Sequence, residues 1–292
     1  MISIIITSFK EPKTIGKAIT SFTRQQLPPY ELIVSAPDTE TLDVARKYAR
    51  KNKRIRVIQD AGKGKPAALN RIFRLAKGDI LILSDGDVSV DRHSVKVLLS
   101  HFSDPHVGAV TGRVVSTNNP DKMMGFWASL LTEGFHSLRL RQSQQKEQVI
   151  CSGYLYALRR GLVANIPEDI LADDAYISLL VDKKGYLTVY EPSARVLVKY
   201  PTSLPDWIRQ KKRTAGRLYQ LKRYFAVSKA SSFRDEIVAG IKSIFSLRSF
   251  RKIFWFGLLV IMRLYIWFRV FFDYRLWNRS FARTWERVET TK

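Results

Sequence analysis

The sequence predicts an α/β fold in which a mostly parallel sheet is flanked by helices. Apolar, β-branched runs alternate with helical patterns through the first half of the chain, which is typical of βαβ units. The chain has 292 residues, of which 46% are hydrophobic, enough to fill a substantial core. Towards the carboxyl terminus a basic, aromatic-rich stretch leads into a continuous apolar run, so this region is expected to be organised differently.

The first strands and helices follow one another at the spacing of a parallel sheet. Residues 2–7 are an apolar run, and a helical pattern follows at Ile15, Ala18, Ile19 and Phe22. We predict further strands at residues 31–35, 55–59 and 79–84, with helices at 41–52 and 66–77 between them. Ligands of such sheets bind at the carboxyl ends of the strands, so the residues directly after these strands are the first candidates for function.

The pattern becomes less regular after residue 87. We predict a helix at residues 94–102, a strand at 107–116, a long amphipathic helix at 122–145, a segment at 154–159, another at 172–184, and two separate strands at 188–190 and 195–200. We therefore divide the chain into an α/β domain at residues 1–205, basic amphipathic interfacial helices at 206–252, and an apolar membrane-associated helix with a basic tail at 253–292.

The charge is concentrated near the carboxyl terminus. The formal net charge is +23, and residues 195–292 contain 22 basic and 6 acidic side chains, which is +16 of that total. Such a charge suits a polyanionic partner, either nucleic acid or an anionic membrane surface. The apolar run beside the basic residues would have to be hidden in a soluble nucleic-acid binder. We therefore expect a membrane surface and no nucleic acid.

The apolar run at residues 253–272 can be weighed on an insertion scale. Its thirteen Leu, Ile, Phe and Val residues contribute roughly −6 kcal/mol, and Arg263 and Arg269 cost up to about +3 kcal/mol each. These contributions nearly cancel. A spanning or re-entrant helix and a helix lying in the headgroup plane both remain open, with a buried core helix as the third possibility.

The only cysteine, Cys151, excludes an internal disulfide and a cysteine-based zinc site, and it fits a reducing compartment. The amino terminus, MISIIITSF, lacks the pattern of a signal peptide and instead predicts the first strand. We expect a membrane-associated protein whose α/β domain lies on the cytoplasmic side.

Two acids follow the fourth predicted strand, in the sequence Asp85-Gly86-Asp87. Alternate residues of a strand point the same way, so both carboxylates can face one divalent cation, and Gly86 lets the backbone approach a bulky ligand. Hard oxygen ligands of this kind suit Mg²⁺ or Mn²⁺ held together with substrate phosphates. A simple turn at the end of a strand explains an isolated Asp-Gly-Asp equally well.

Three further motifs are ambiguous when each is taken alone. The loop AGKGKPAALN, residues 61–70, can present lysines and backbone N–H groups to a phosphate, although it is not a Walker motif. Asp173 and Asp174 are either helix caps or a pair that supplies a general base. Gln210 and Arg213 share one face of a predicted helix, which is otherwise a solvated basic face.

Taken in order with CSGYLYALRR, residues 151–160, these motifs resemble the family 2 glycosyltransferases of Rossmann-like GT-A fold. The resemblance covers residues 1 to about 217 and begins with the opening strand and loop SIIITSFKEP. It implies an inverting, membrane-associated enzyme that moves a sugar from a nucleotide-diphosphate sugar to an acceptor hydroxyl. The basic and apolar tail predicts in addition that the acceptor is lipid-linked or a membrane-associated glycan. The alternatives are a basic membrane scaffold or a nucleic-acid-binding protein without catalysis.

The resemblance also implies a role for each motif residue. Asp87 and Asp85 would hold the Mn²⁺ or Mg²⁺, Asp174 would be the general base beside Asp173, and Gln210 and Arg213 would close over the diphosphate and the acceptor. The implied donor-binding residues are Thr7, Glu11, Asp38, Lys63, Lys65 and Asp85.

Three positions depart from the family pattern. The second strand ends in Ser35-Ala36-Pro37-Asp38 rather than an Asp-Asp pair, so only Asp38 is left to contact the base, whose identity stays open. Thr214 stands where processive members have Trp, which argues against long-chain polymerisation. Asp173 replaces the usual Glu.

Overall fold

The computed structural model describes residues 1–221, 224–225, 249–276 and 290–291. The chain divides into two compact units, each of which is described by itself: Met1–Val114 with Gln142–Val198, and Val115–Arg141 with Lys199–Thr291. Most of the basic segment predicted to form interfacial helices, residues 206–252, lies outside the described residues, so that part of the domain division stays a prediction.

The first unit is built on alternating strands and helices, as the sequence predicts. The strands are β1 (Ile2–Thr7), β2 (Tyr30–Ala36), β3 (Ile55–Gln59), β4 (Ile80–Asp85), β5 (Val88–Val90), β6 (Val107–Ser116), β7 (Leu155–Arg159) and β8 (Leu187–Val198). The helices before residue 199 are α1 (Ile15–Thr23), α2 (Thr39–Lys51), α3 (Lys65–Leu75), α4 (Ser94–Ser100), α5 (Met123–Gln144) and α6 (Asp173–Lys183), with a 3-10 turn at His101–Ser103. Most of α5 belongs to the second unit.

The eight strands form one sheet in the order β3-β2-β1-β4-β7-β6-β8-β5. The first four are mutually parallel, since β1 pairs in parallel with both β2 and β4, and β2 pairs in parallel with β3. All six residues of β1 are buried, as expected for a central strand covered by helices on both faces. The predicted fold class is therefore confirmed, and the carboxyl ends of β1, β2 and β4 share one edge.

The second half of the sheet differs from the sequence prediction in two places. The segments expected as two strands at 188–190 and 195–200 form one strand, β8. Pro192 lies within this strand but precedes residues 196–198, where β5 pairs with β8. The strand β5 was not predicted, because three residues are too few to show a periodicity.

A buried acid at the opposite edge of the sheet has a purely structural role. Glu31 accepts hydrogen bonds from Ser3 Oγ at 2.7 Å, the Lys77 N–H at 2.7 Å and Arg56 at 2.9 Å. Burial raises the pKa of Glu31, but these donors outweigh it and hold the pKa below its ordinary value. Glu31 therefore joins the starts of β1 and β2 to the approach to β4.

The second unit contains most of α5 together with α7 (Leu204–Leu221), α8 (Phe250–Phe271) and a π-helical turn at Phe272–Leu276. Its core is aromatic: the rings of Trp127 and Trp207 lie 4.9 Å apart, and Trp127 Nε1 donates to the carbonyl of Trp255 at 2.8 Å. Lys212 of α7 pairs with the buried Asp273 at 3.4 Å. The ion pair thus joins α7 to the π-helical turn that follows α8, next to the apolar packing between α7 and α8.

One face of α8 is apolar and exposed. Its large exposed side chains are Phe250, Ile253, Phe254, Val260, Ile261, Leu264, Tyr265, Phe268 and Phe271. Arg263 lies on the opposite, buried side. Among the described residues, the segment Phe250–Tyr274 is the one that is long and apolar enough to cross a membrane, judged by length and composition alone.

Candidate active site

The strand register brings the first site residues together. Thr7, the last residue of β1, lies beside Ser35 of β2 and beside Asp85 of β4. The Thr7 hydroxyl oxygen is buried and has no hydrogen-bond partner among the described residues. A buried hydroxyl without a hydrogen-bond partner costs free energy unless a ligand or water satisfies it. A polar ligand group bound at the end of β1 could form a hydrogen bond with this hydroxyl.

Gly86 is required by a close approach of the chain to itself. A methyl group on Gly86 would overlap Ser8 Oγ and lie 2.6 Å from Glu11 Oε2. Ser8 Oγ donates to Glu11 Oε2 at 2.6 Å, and the Glu11 N–H donates to Thr41 Oγ1 at 2.8 Å. The tight packing at Gly86 is therefore against the β1–α1 loop. From the sequence, this glycine was expected to make room for a ligand instead. Glu11, a predicted donor-binding residue, is buried in this contact.

The glycine-rich loop before α3 positions the side chain of Lys65 next to the carboxylates of Asp85 and Asp173. Gly62 and Gly64 have φ values of +67° and +98°, a conformation that favours glycine. The next residue, Lys65, lies with Nζ 2.7 Å from Asp85 Oδ1 and 3.4 Å from Asp173 Oδ2. Lys63 of the same loop is exposed. Of the two lysines predicted to bind the donor, Lys65 is thus the one that joins the acidic cluster.

Asn70, the last residue of the motif AGKGKPAALN, lies in α3 and anchors that helix. Its Nδ2 donates to the carbonyl of Ile166 at 2.7 Å, and its Oδ1 accepts from the N–H of the same residue at 2.7 Å. Asn70 is buried, so this two-way bond fixes α3 against the segment after β7. Its role is to hold the frame of the site.

The acidic pair at the start of α6 is divided between two environments. Asp173 is buried and faces Lys65. Burial raises the pKa of Asp173, the Lys65 ammonium counteracts this, and the carboxylates of Asp174 and Asp85 raise it further, so that it lies above its ordinary value. Asp174 instead accepts backbone hydrogen bonds, from the Ala175 N–H at 2.8 Å and the Gly153 N–H at 3.0 Å.

Lys65 is held in its charged form by its neighbours. Burial lowers the pKa of Lys65, but the carboxylates of Asp173 and Asp85 more than compensate, so the pKa lies above its ordinary value. Lys65 therefore links the acid at the end of β4 to the acid at the start of α6. Residues far apart in the sequence form one charged cluster: Lys65, Asp85, Asp173 and Asp174.

Tyr156 lies beside the acidic cluster, although the sequence motifs assigned it no role in the site. It lies on β7, next to Leu83 of β4, and its hydroxyl is buried without a hydrogen-bond partner among the described residues. Burial raises the pKa of Tyr156, and the carboxylates of Asp173, Asp174 and Asp85 add to the shift. The phenol is thus a neutral polar group beside the acidic cluster.

Asp38, the predicted base-contacting residue, caps α2. Its carboxylate accepts from the Thr41 N–H at 3.0 Å and the Lys10 N–H at 2.7 Å. Burial raises the pKa of Asp38, but these hydrogen bonds outweigh it and lower the pKa below its ordinary value. A second carboxylate, Asp60, accepts from Ser35 Oγ at 2.8 Å at the ends of β2 and β3.

Two predicted catalytic residues belong to the second unit. Gln210 and Arg213 lie on α7, and Thr214 Oγ1 donates to the Gln210 carbonyl at 3.0 Å. Gln210 is buried, and its side-chain oxygen has no hydrogen-bond partner in the described part of the chain. A ligand that donates a hydrogen bond would satisfy this oxygen.

The residues at the β4–β5 turn suit a divalent cation in chemistry and number. Asp85 and the half-buried Asp87 are hard oxygen donors, and diphosphate oxygens would complete a set of the kind that Mg²⁺ takes. Within the described ranges, no group of three or more His, Cys, Asp or Glu side chains is placed so that it could hold a metal ion by itself. The protein would therefore supply part of the ligand set and the donor the rest.

Comparison with known proteins gives a consistent picture. The family model described as Glycosyltransferase like family 2 matches residues 1–216. An N-acetylglucosaminyltransferase of Azorhizobium caulinodans is 26% identical over 242 residues, covering 75% of this chain and 60% of that protein. A poly-beta-1,6-N-acetyl-D-glucosamine synthase of Staphylococcus aureus is 24% identical over 244 residues, covering 80% and 58%. The chain thus spans less than two thirds of these relatives.

Solved structures share the fold. A mannosyltransferase of Pyrobaculum calidifontis, solved in complex with GDP-Man and Mn²⁺, aligns with a TM-score of 0.64 at 19% identity and covers 97% of this chain and 84% of that one. Staphylococcus aureus TarS aligns with a TM-score of 0.52 at 15% identity, covering 94% and 91%. Together with the family match over residues 1–216, the strand order and the sequence motifs, this places the chain in glycosyltransferase family 2, with a GT-A fold.

Proposed function

We propose that this protein transfers a sugar from a nucleotide-diphosphate sugar to an acceptor hydroxyl, with inversion at the anomeric carbon. The observation that carries the proposal is the charged cluster at the carboxyl edge of the sheet, where Lys65 pairs with Asp85 and Asp173 while two backbone N–H groups hold Asp174. Transfer from a nucleotide-diphosphate sugar needs both parts of this cluster. The part around Lys65 and Asp85 faces the charge of the leaving diphosphate, and Asp174 accepts the proton of the acceptor hydroxyl.

The bonding changes assign a role to each residue. The acceptor oxygen forms a bond to the anomeric carbon, and its proton passes to the Asp174 carboxylate. The bond from the anomeric carbon to the diphosphate oxygen breaks, and the diphosphate leaves with the electron pair. Each oxygen of Asp174 accepts one backbone N–H, and a carboxylate oxygen has a second lone pair with which to accept the acceptor's hydrogen.

The cation in this proposal is Mn²⁺ or Mg²⁺, held by Asp87 and Asp85. When bound, it supplies charge neutralisation for the departing diphosphate. Lys65 stands beside Asp85 as a fixed positive charge of the protein, and Arg213 with Gln210 on α7 is assigned to the diphosphate and the acceptor. Thr7, Glu11, Asp38 and Lys63 complete the proposed donor site.

We also propose that the apolar face of α8 rests in a membrane and that the acceptor is lipid-linked or a membrane-associated glycan. Support comes from nine large apolar side chains that are exposed on α8, while Arg263 is buried on the other side. In this proposal residues 1–205 are the catalytic domain on the cytoplasmic side, and residues 206–252 and 253–292 form the interfacial and membrane-associated parts. Flotation of the full chain with anionic lipid vesicles tests it, and a chain that stays in the soluble fraction would contradict it.

A panel of nucleotide-diphosphate sugars tests the enzymatic proposal. The full chain in mild detergent is heated with each donor in Mn²⁺, Mg²⁺ or a chelator, and the unfolding temperature is measured. One donor is expected to protect in the presence of a cation, with about 2.7 kcal/mol of stabilisation at a hundred times its Kd, and the chelator should abolish the protection. A panel in which every donor fails to protect with either cation would contradict the proposal.

A further inference from the structure

We propose that Thr111 and Ser178 are positioning residues that fix the carboxylate of Asp174 through the backbone of residues 151–153. The inference rests on the proposed function, in which Asp174 accepts the proton of the acceptor. Neither Thr111 nor Ser178 belongs to the sequence motifs of the site, and both side chains are fully buried. Their contribution follows from the hydrogen-bond acceptors of three consecutive backbone N–H groups, those of residues 151–153.

The first link is the hydrogen bond between Gly153 and the base. The Gly153 N–H donates to Asp174 Oδ2 at 3.0 Å, while the other carboxylate oxygen accepts from Ala175 N–H at 2.8 Å, within α6 itself. The Gly153 contact therefore ties the carboxylate to a different part of the fold. Its direction depends on how the peptide at residue 153 is oriented.

The second link is a pair of buried hydroxyl groups that orient this peptide. The Ser152 N–H donates to Thr111 Oγ1 at 2.9 Å, and the Cys151 N–H donates to Ser178 Oγ at 2.9 Å. Thr111 lies on β6 and also donates to the Leu155 carbonyl at 3.4 Å. With the first two N–H groups fixed by hydroxyl oxygens, the third is left pointing at Asp174.

The third link closes the arrangement on the helix that carries the base. Ser178 lies one turn after Asp174 on α6, and its hydroxyl donates to the Asp174 carbonyl at 2.7 Å. Ser178 thus contacts both the loop and the backbone of the base residue. Since a misplacement of about 1 Å can cost about a hundredfold in rate, loosening either hydroxyl contact is expected to slow the chemical step.

Substitutions that remove only the hydroxyl groups test this inference. The full chain carrying Thr111→Val or Ser178→Ala is assayed with the nucleotide-diphosphate sugar that protects it best and a lipid extract as the acceptor. We expect kcat to fall about tenfold or more, with the donor KM within about twofold of the unchanged chain, because the donor contacts are untouched. Thr111→Ser keeps the hydroxyl and should restore most of kcat.

A matched control comes from another buried serine. Ser94 is fully buried and donates to the Arg195 carbonyl at 2.9 Å, and Ser94→Ala should leave kcat unchanged. A kcat unaffected by both Thr111→Val and Ser178→Ala, or lowered equally by Ser94→Ala, would overturn the inference. If Thr111→Val does not fold, the test rests on Ser178→Ala alone. In that chain, hydrogen exchange of a peptide covering residues 151–153 is also measured, and it is expected to be faster than in the unchanged chain.

The outcome for Asp174→Asn separates this inference from the proposed function. An inactive Asp174→Asn chain together with fully active hydroxyl variants would reject the positioning role and leave the base assignment standing. A fully active Asp174→Asn chain would reject the base assignment itself.

Discussion

Replacing Asp174 with asparagine is expected to lower kcat by about 10²–10⁴-fold, the usual contribution of a general base. Asparagine keeps the size of the side chain and its carbonyl oxygen can still accept the Gly153 N–H, but it cannot take up the acceptor's proton. Donor affinity should stay within about twofold, because the proposed donor site includes Lys65 and Asp85, whose ion pair the substitution leaves in place. Transfer kinetics and donor binding, measured on the same preparation, check both expectations.

An acid elsewhere on the same helix provides the control for this result. Asp182 of α6 is exposed and accepts from Gln148 Nε2 at 2.7 Å, and Asp182→Asn should leave kcat unchanged. If Asp174→Asn kept a normal kcat, or lost donor affinity by the same factor as kcat, Asp174 would not be the base.

Replacing Lys65 with methionine is expected to destabilise the first unit by about 2–4 kcal/mol. The ammonium lies 2.7 Å from Asp85 and 3.4 Å from the buried Asp173, and its removal leaves a buried carboxylate without its counter-charge. For a domain of this size the unfolding temperature should fall by roughly 5–15 °C. Thermal unfolding at neutral pH measures the change.

The double variant makes the origin of this effect testable. Adding Asp173→Asn to Lys65→Met removes the uncompensated charge and should recover a large part of the lost stability. Lys63→Met, which removes an exposed lysine from the same loop, should have little effect. A Lys65→Met chain as stable as Lys63→Met, or a double variant less stable than the single one, would show that the cluster does not contribute in this way.

The placement of the site at one sheet edge could be predicted from the sequence because it follows from strand order. Asp85 ends a buried strand and Lys65 opens the preceding helix, so parallel βαβ units bring both to the carboxyl edge. The hydrogen bond from Gly153 to Asp174 could not be predicted in the same way. It depends on β7 running antiparallel between β4 and β6, an insertion that leaves no local pattern.

Two sets of side-chain contacts could not be predicted from motif position. The Asp38 carboxylate caps α2, a contact that depends on where that helix begins, and its contact with the donor base stays a prediction. The hydroxyl groups of Thr111 and Ser178 lie in an ordinary strand and an ordinary helix. Only the tertiary packing brings them to the backbone of residues 151–153.

The two arginines of the tail lie six residues apart and therefore project from different faces of one helix. In α8, Arg263 is buried while Arg269 is half-buried, and the apolar stripe between Ile253 and Phe268 remains exposed. Burial of Arg263 lowers the cost of placing the opposite face against lipid.

The central claim is that Asp85 and Asp87 hold a divalent cation against the diphosphate of the donor. The most direct test is calorimetric titration of the nucleoside diphosphate that corresponds to the protecting donor into the full chain and into Asp87→Asn, with Mn²⁺ and with a chelator. The proposal predicts that Mn²⁺ tightens binding of the nucleoside diphosphate to the unchanged chain and that Asp87→Asn removes most of this gain. An equal gain from Mn²⁺ in the two chains would contradict it.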